Sequence, residues 1–464
     1  MRRRERDLKL PQDAIPPTAS VEAPLEQLLA RPAPIASAAM LRLGTVIGGA
    51  VLSLVNVLIV SRALGAVGRG DVVFFATVST LTAHVSLFGV QEANANVAAT
   101  DRDSRPALAA NSLLLSLLFG AGGAGTVAVL TLLFPAVGGH LPADLRWLAL
   151  GSVPVLILQI YLQALMQADY AFAVTNIAAM LAPVINVSVN GTLAGLGVIT
   201  VTTAVVTWFV GQAVATVLLA WYVARRLAGF GRPDVRLAQT SLRFGLKSHP
   251  GRIMLLGNFR LDQWFVGAIS GARELGLYSV AAVWSEVLFY LPTALAFVQR
   301  PDLVRADSRG AARQAATAFR ITVLISLPIS VVMIVAAPFL CVTIFGDQFG
   351  GSVSQLRVLV PGGFGIAALE LLGYALTAQK KPTLQTAAIA VGFLSSVALD
   401  LILIPPHGGL GAAIASTVSY LAAGVTVAVI FVRSLHGRPG DLIPRPNDVP
   451  WLWRQFRSLV RGAA

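Results

Sequence analysis

Among the ionisable side chains inside otherwise apolar runs of this chain, eight stand out: Arg42, Glu92, Arg252, Arg260, Asp262, Glu286, Glu370 and Asp400, the last near the outer end of its run, where an interfacial place is expected. An ionised group at the middle of a bilayer costs about 3 kcal/mol or more, so each needs a partner or a task. A guanidinium presents a planar fork of donors that matches two oxygens of an oxyanion. A partly desolvated carboxylate can exchange a proton or an ion. Arg260 and Asp262 stand two positions apart, so they cannot pair along one helix face.

Bond-making chemistry has no comparable footing. The chain has no phosphate-cradling glycine loop with its lysine, no His/Cys spacing suited to a metal and no nucleophile–base pair. His84, His140, His249, His407 and His436 fall on unrelated segments, where structural or loop roles are expected. The expectation is a protein that is not an enzyme and uses no cofactor or metal.

The elements that must hold these charged residues are dictated by composition. Hydrophobic residues make up 56% of the chain and charged residues 12%, against about 25% charged in soluble domains. So little charge cannot cover a soluble globule of 464 residues, and the chain is read as an all-α integral membrane protein. Runs of about 20 apolar residues, the length of a membrane-crossing helix, occur twelve times: near 38–61, 71–96, 107–134, 145–167, 171–195, 199–223, 244–269, 275–299, 317–344, 353–378, 383–404 and 409–432. The seventh run is the least apolar. With it counted and the N-terminus inside, 27 of the 35 Lys and Arg residues fall on the cytoplasmic side and five on the other. Without it every later loop inverts, so the positive-inside bias supports twelve spans with both ends cytoplasmic. This placement also explains the net charge of +13 without nucleic acid as a partner. No apolar run follows the basic N-terminus for about thirty residues, which argues against a signal peptide.

The chain also repeats itself. SRALGAVGRGDVVFFATVS (61–79) and GAISGARELGLYSVAAVWS (267–285) align at a shift of 206, with Gly65 on Gly271, Ala66 on Ala272 and Gly70 on Gly276. A second match, at a shift of 212, sets Gln167 on Gln379 and Gly197 on Gly409. Six spans per half is an even number, so the halves are parallel repeats with a binding cavity expected between them near the midplane. The expected organisation is a flexible cytoplasmic tail (1–36), a six-helix bundle (37–224), a basic cytoplasmic linker (225–243), a second six-helix bundle (244–434) and a cytoplasmic tail (435–464). In that tail Leu452, Trp453, Phe456, Leu459 and Val460 share one helical arc beside Arg454, Arg457 and Arg461. The pattern predicts a helix lying on anionic membrane lipid.

The stretch ALGAVGRGDVVFFATVSTLTAHVSLFG resembles the second span of bacterial polysaccharide flippases, in the multidrug/oligosaccharidyl-lipid/polysaccharide exporter superfamily. RLDQWFVGAISGARELGLYSVA resembles the family's seventh-to-eighth span junction, and the stretch from IFGDQFGG through STVSYL resembles its ninth to twelfth spans. The resemblance covers about residues 36 to 434. It implies transfer of undecaprenyl-pyrophosphate-linked oligosaccharide between leaflets of the bacterial cytoplasmic membrane, with polysaccharide polymerase and glycosyltransferases as partners. Arg42, Asn56, Arg252, Arg260 and Asp262 would then line a cavity for the pyrophosphate and its sugars, and Glu286 and Glu92 would couple transport to an ion. Arg42 and Arg252 have the alternative of snorkelling to the inner interface. Asp262 falls on Asn56 at the shift of 206, which suggests a shared polar layer. The twelve-span drug/sodium antiporter branch is the alternative family reading. A lipid II flippase would be expected to carry two further C-terminal spans.

Overall fold

The computed structural model describes residues 33–448, apart from 140, 170, 227, 228, 436, 446 and 447. The run from Leu452 to Val460 lies outside the described residues. The chain divides into two units, Met1–Gly44 and Thr45–Ala464. The described part of the first, 33–44, is helical. Arg42 belongs to it, and its side chain lies outside what is described. All that follows concerns the second unit.

Among the described residues there is no strand. The helices are α1 (Ala33–Val85), α2 (Val90–Thr100), α3 (Arg105–Leu133), α4 (Ala143–Ala168), α5 (Phe172–Gly195), α6 (Val201–Arg226) and α7 (Val235–Phe265). They continue with α8 (Gly271–Ser285), α9 (Val287–Arg305), α10 (Ser308–Val335), α11 (Gly351–Leu359), α12 (Gly362–Ala378) and α13 (Pro382–Ser434). Helices α1 and α13 have 53 residues each. A straight helix of that length would reach about 80 Å, far beyond a hydrocarbon core of about 30 Å. Each is broken once, at Gly65 (φ 68°, ψ −172°) and Gly408 (φ 55°, ψ −135°). The chain folds back at the second break: a Cβ on Gly411 would lie 2.1 Å from the Leu403 carbonyl oxygen, whereas eight residues of unbroken helix separate their ends by about 12 Å.

With these breaks, and with α2, α9 and α12 each continuing the helix before it, the described helices divide into twelve passes, in rough agreement with the twelve apolar runs; eight of the helices are long and apolar enough to cross a membrane. The weak seventh run is helical, and it reaches the apolarity of a membrane span only together with the helices that follow it. Its helix α7 starts at Asp234, whose carboxylate accepts the Arg236 and Leu237 N–H groups at 2.8 and 3.1 Å, satisfying donors that a helix start leaves free. Its low hydropathy has a local cause: Asn258, Asp262 and Gln263 are polar residues turned into the protein.

The repeat is visible in the backbone. Gly271 adopts φ 87°, ψ 176°, close to its counterpart Gly65. This region is open to glycine and strained for other residues. The repeated motifs also meet each other. A Cβ on Gly70 would lie 1.7 Å from the Ala272 carbonyl oxygen, and one on Gly276 would lie 1.9 Å from that of Ala66. Since Ala66 is the counterpart of Ala272 and Gly70 of Gly276, each contact is the other with the halves exchanged. Such reciprocity marks a two-fold relation. Here it is internal to one chain and joins two parallel six-helix bundles.

Candidate functional site

The cavity between the second and seventh passes is built around a defect. Helix α1 ends at Val85 and α2 begins at Val90, and between them Phe88 (φ 47°) and Gly89 (φ 73°) take left-handed conformations. Irregular backbone within a membrane span is tolerated where it is covered by protein or lines a cavity. The interrupted ladder leaves the Val85 carbonyl to His249 of α7, whose Nε2 donates to it at 2.9 Å. A cavity of about 260 Å³ opens beside this bond, lined by Leu87, Gln91, His249, Arg252, Leu256 and Phe259 among others.

At this cavity Arg252 forms an ion pair with Glu92 at 2.6 Å, crossing from the first six passes to the last six. The two side chains keep 52% and 34% of their exposure, so the pair is open to exchange with a soluble or headgroup anion. Arg260, two turns further along α7, is held by Glu286 from the break between α8 and α9. Its two terminal nitrogens donate to the two carboxylate oxygens at 2.7 and 3.4 Å. That pair is also about one-third exposed, 36% and 29%. Phe259, Phe289 and Tyr420 cluster beside it, with ring centroids 5.7 to 6.1 Å apart.

Asp262 points away from Arg260, as their spacing requires. It is buried in the second bundle, where Tyr278 Oη donates to it and Ser416 Oγ bonds the same oxygen at 3.1 Å. Asp400 of α13 is likewise fully buried. Ser396 Oγ donates to Asp400 Oδ2 at 3.1 Å, while Oδ1 has no partner among the described residues. No basic side chain forms an ion pair with either acid among the described residues. A buried carboxylate is costly to keep ionised without a compensating charge. In the first bundle the counterpart of Asp262 is Asn56, which accepts from Asn190 Nδ2 at 2.8 Å. The polar layer therefore exists in both halves but carries charge in only one.

Thus the cavity between the halves brings together Arg252, Glu92 and the neutral pair Gln91 and His249, whereas Asp262 and Asn56 serve networks within their own bundles. Sequence reasoning placed Gln91 only as a polar group beside Glu92 and gave His249 a structural or loop role, because single polar residues at scattered positions carry no pattern. The break at Phe88–Gly89 is the signal that could have singled them out. It also left Arg69 in an outer turn. Arg69 is buried and donates from Nε to Ser279 Oγ at 3.2 Å, tying the two repeated motifs together.

This arrangement, two parallel six-helix bundles around a cavity with charge on the dividing faces, is the one that the sequence resemblance implies. The chain is similar in structure to the lipid II flippase MurJ in an inward closed conformation (TM-score 0.68, 13% identity, covering 86% of this chain and 88% of that one). It is also similar to an inward-facing multidrug resistance transporter of the MATE family (TM-score 0.64, 16% identity, 84% and 94% covered). At such identities the likeness is one of fold. More particularly, residues 138–354 match the family described as "Polysaccharide biosynthesis protein", as the span resemblances anticipate. Among curated proteins none matches the sequence.

Proposed function

We propose that this protein flips a pyrophosphate-linked lipid oligosaccharide, of the undecaprenyl type, across the bacterial cytoplasmic membrane by alternating access, with both termini cytoplasmic. The observation that supports this reading most directly is the pairing of Arg252 and Arg260, each held by a single, partly exposed carboxylate. A pyrophosphate carries more charge and more acceptor oxygens than one carboxylate, so it can displace Glu92 and Glu286 and take both forks. The reacting bonds of the lipid stay intact; the protein's part is to bind, shield and release.

Glu92 and Glu286 then act as resident counter-ions, a role that their ion pairs favour over the coupling role expected from position alone. Coupling falls to Asp262 and Asp400, where proton or cation occupancy would set the packing of α7 against α13. Export of a cationic small molecule is the competing reading, favoured by the presence of as many carboxylates as arginines at the two pairs. Proteoliposomes loaded with a lectin-detectable undecaprenyl-pyrophosphate glycan separate the two. Arg260→Ala should lower flipping at least about tenfold, the value of a charge-assisted hydrogen bond pair, with Arg260→Lys recovering part of it. Asp400→Asn should remove the response to a proton or sodium gradient. Normal flipping by Arg260→Ala, or gradient-driven uptake of a cationic dye in place of the glycan, would overturn the proposal.

A further inference from the structure

Two side chains in the cavity are provided with hydrogen-bonding atoms that no described residue uses. Gln91 and His249 both line it and are each only 5% exposed. Among the described residues neither amide atom of Gln91 has a partner, nor does Nδ1 of His249. Buried polar atoms in native structures are nearly always bonded, so three orphans at one cavity point to something that binds there.

Their chemistry narrows what it is. A backbone carbonyl can only accept, so the bond to Val85 fixes the proton of His249 on Nε2 and leaves Nδ1 as an acceptor in the neutral ring. Gln91 adds a donor and an acceptor. Leu87, Leu256 and Phe259 complete the wall with an aliphatic and aromatic surface. Hydroxyl groups donate and accept at once, while the C–H face of a sugar ring lies well on apolar surface; this mixture of partners fits such a ring. A volume of about 260 Å³ falls just under the range of pockets for drug-sized ligands, about 300–1,000 Å³, which suits one ring rather than an oligosaccharide. The left-handed backbone at Phe88, costly for a residue with a side chain, is the kind of strain that persists at ligand sites.

We infer that this cavity is a subsite for a single neutral sugar ring, with Gln91 and His249 as its specificity-determining residues and Arg252 as the ligand of the anionic group attached to that ring. The inference rests on the lipid-linked glycan reading, yet it can stand or fall apart from it. Gln91 selects by requiring a hydroxyl at the position its amide faces.

The test uses the full-length protein in lipid nanodiscs and saturation-transfer NMR. The probes are inorganic phosphate, glucose 1-phosphate, and the methyl glycosides of common hexoses and N-acetylhexosamines. Wild type should bind at least one sugar probe, and glucose 1-phosphate about tenfold more tightly than inorganic phosphate, as expected for one or two added hydrogen bonds. Gln91→Leu should erase that advantage and leave phosphate binding unchanged. Its thermal midpoint should stay level or rise, because an orphan amide is replaced by an apolar side chain of similar size. An undiminished advantage in Gln91→Leu, or no saturation transfer to any sugar probe, overturns the subsite. Gln91-dependent binding of a methyl glycoside without any binding of phosphate keeps the subsite and overturns the pyrophosphate reading.

Discussion

At 2.7 Å from Glu286 and about one-third exposed, Arg260 is bound but not committed. An ion pair this open to solvent contributes at most about 1 kcal/mol. A carboxylate that competes with the substrate for the same fork should therefore weaken substrate binding by no more than about fivefold. Glu286→Gln removes the competitor and keeps the shape. It is expected to tighten binding of inorganic pyrophosphate by up to about fivefold, read by titration calorimetry. Unchanged or weaker binding would mean that Arg260 is a structural partner of the break between α8 and α9 rather than an anion ligand.

Two elements outside the cavity set how the passes meet. The first is the reciprocal contact of the repeated turns, where Gly70 lies on the Ala272 backbone and Gly276 on that of Ala66. A methyl group at either glycine would have to displace backbone, so Gly276→Ala should hold the two motifs apart. Gly276→Ala is expected to destabilise the folded protein by about 1–3 kcal/mol, read as a lower thermal midpoint. An unchanged midpoint would show that the contact is not what closes this face. The second element is the stretch after α13. Arg320 of α10 donates to both oxygens of Asp448 at 2.8 and 3.2 Å and to the Asp441 carbonyl at 2.7 Å. Burial opposes ionisation of Asp448, but the bonds from Arg320 and the Arg445 N–H outweigh it and hold the carboxyl below its ordinary range. A carboxyl lowered in the folded state stabilises fully above its unfolded value, about 3.9. That contribution is lost as pH falls through the lower folded value. A spin label on the exposed position Ile443 should thus stay immobile from pH 8 to 5 and gain mobility only below about 4. In Asp448→Asn the mobility should be high at every pH; release of the wild-type label near pH 6 would contradict the assignment.

Across the whole molecule, the positive-inside bias predicts that a fluorescent protein fused after Ala464 lights up in the cytoplasm, while alkaline phosphatase fused there stays inactive. The reverse pattern would invert the proposed direction of transport. Composition alone determined the membrane class and the helical content, because an apolar run must satisfy its own backbone inside lipid. The number of passes followed from run length and charge placement. The breaks at Gly65 and Gly271 were legible as a repeat, since only glycine takes that backbone conformation freely. The spacing of Arg260 and Asp262 likewise told that they face different ways. What no periodicity could tell is which partner each would meet. Glu286 lies 26 residues from Arg260, and Glu92 lies 160 from Arg252. Ser416, at 154 residues from Asp262, belongs to another pass altogether. Pairings over such distances depend on how the helices cross. Only the tertiary structure therefore decided that Asp262 faces its own bundle, that the neighbouring arginines face carboxylates, and that Gln91 and His249 share one cavity.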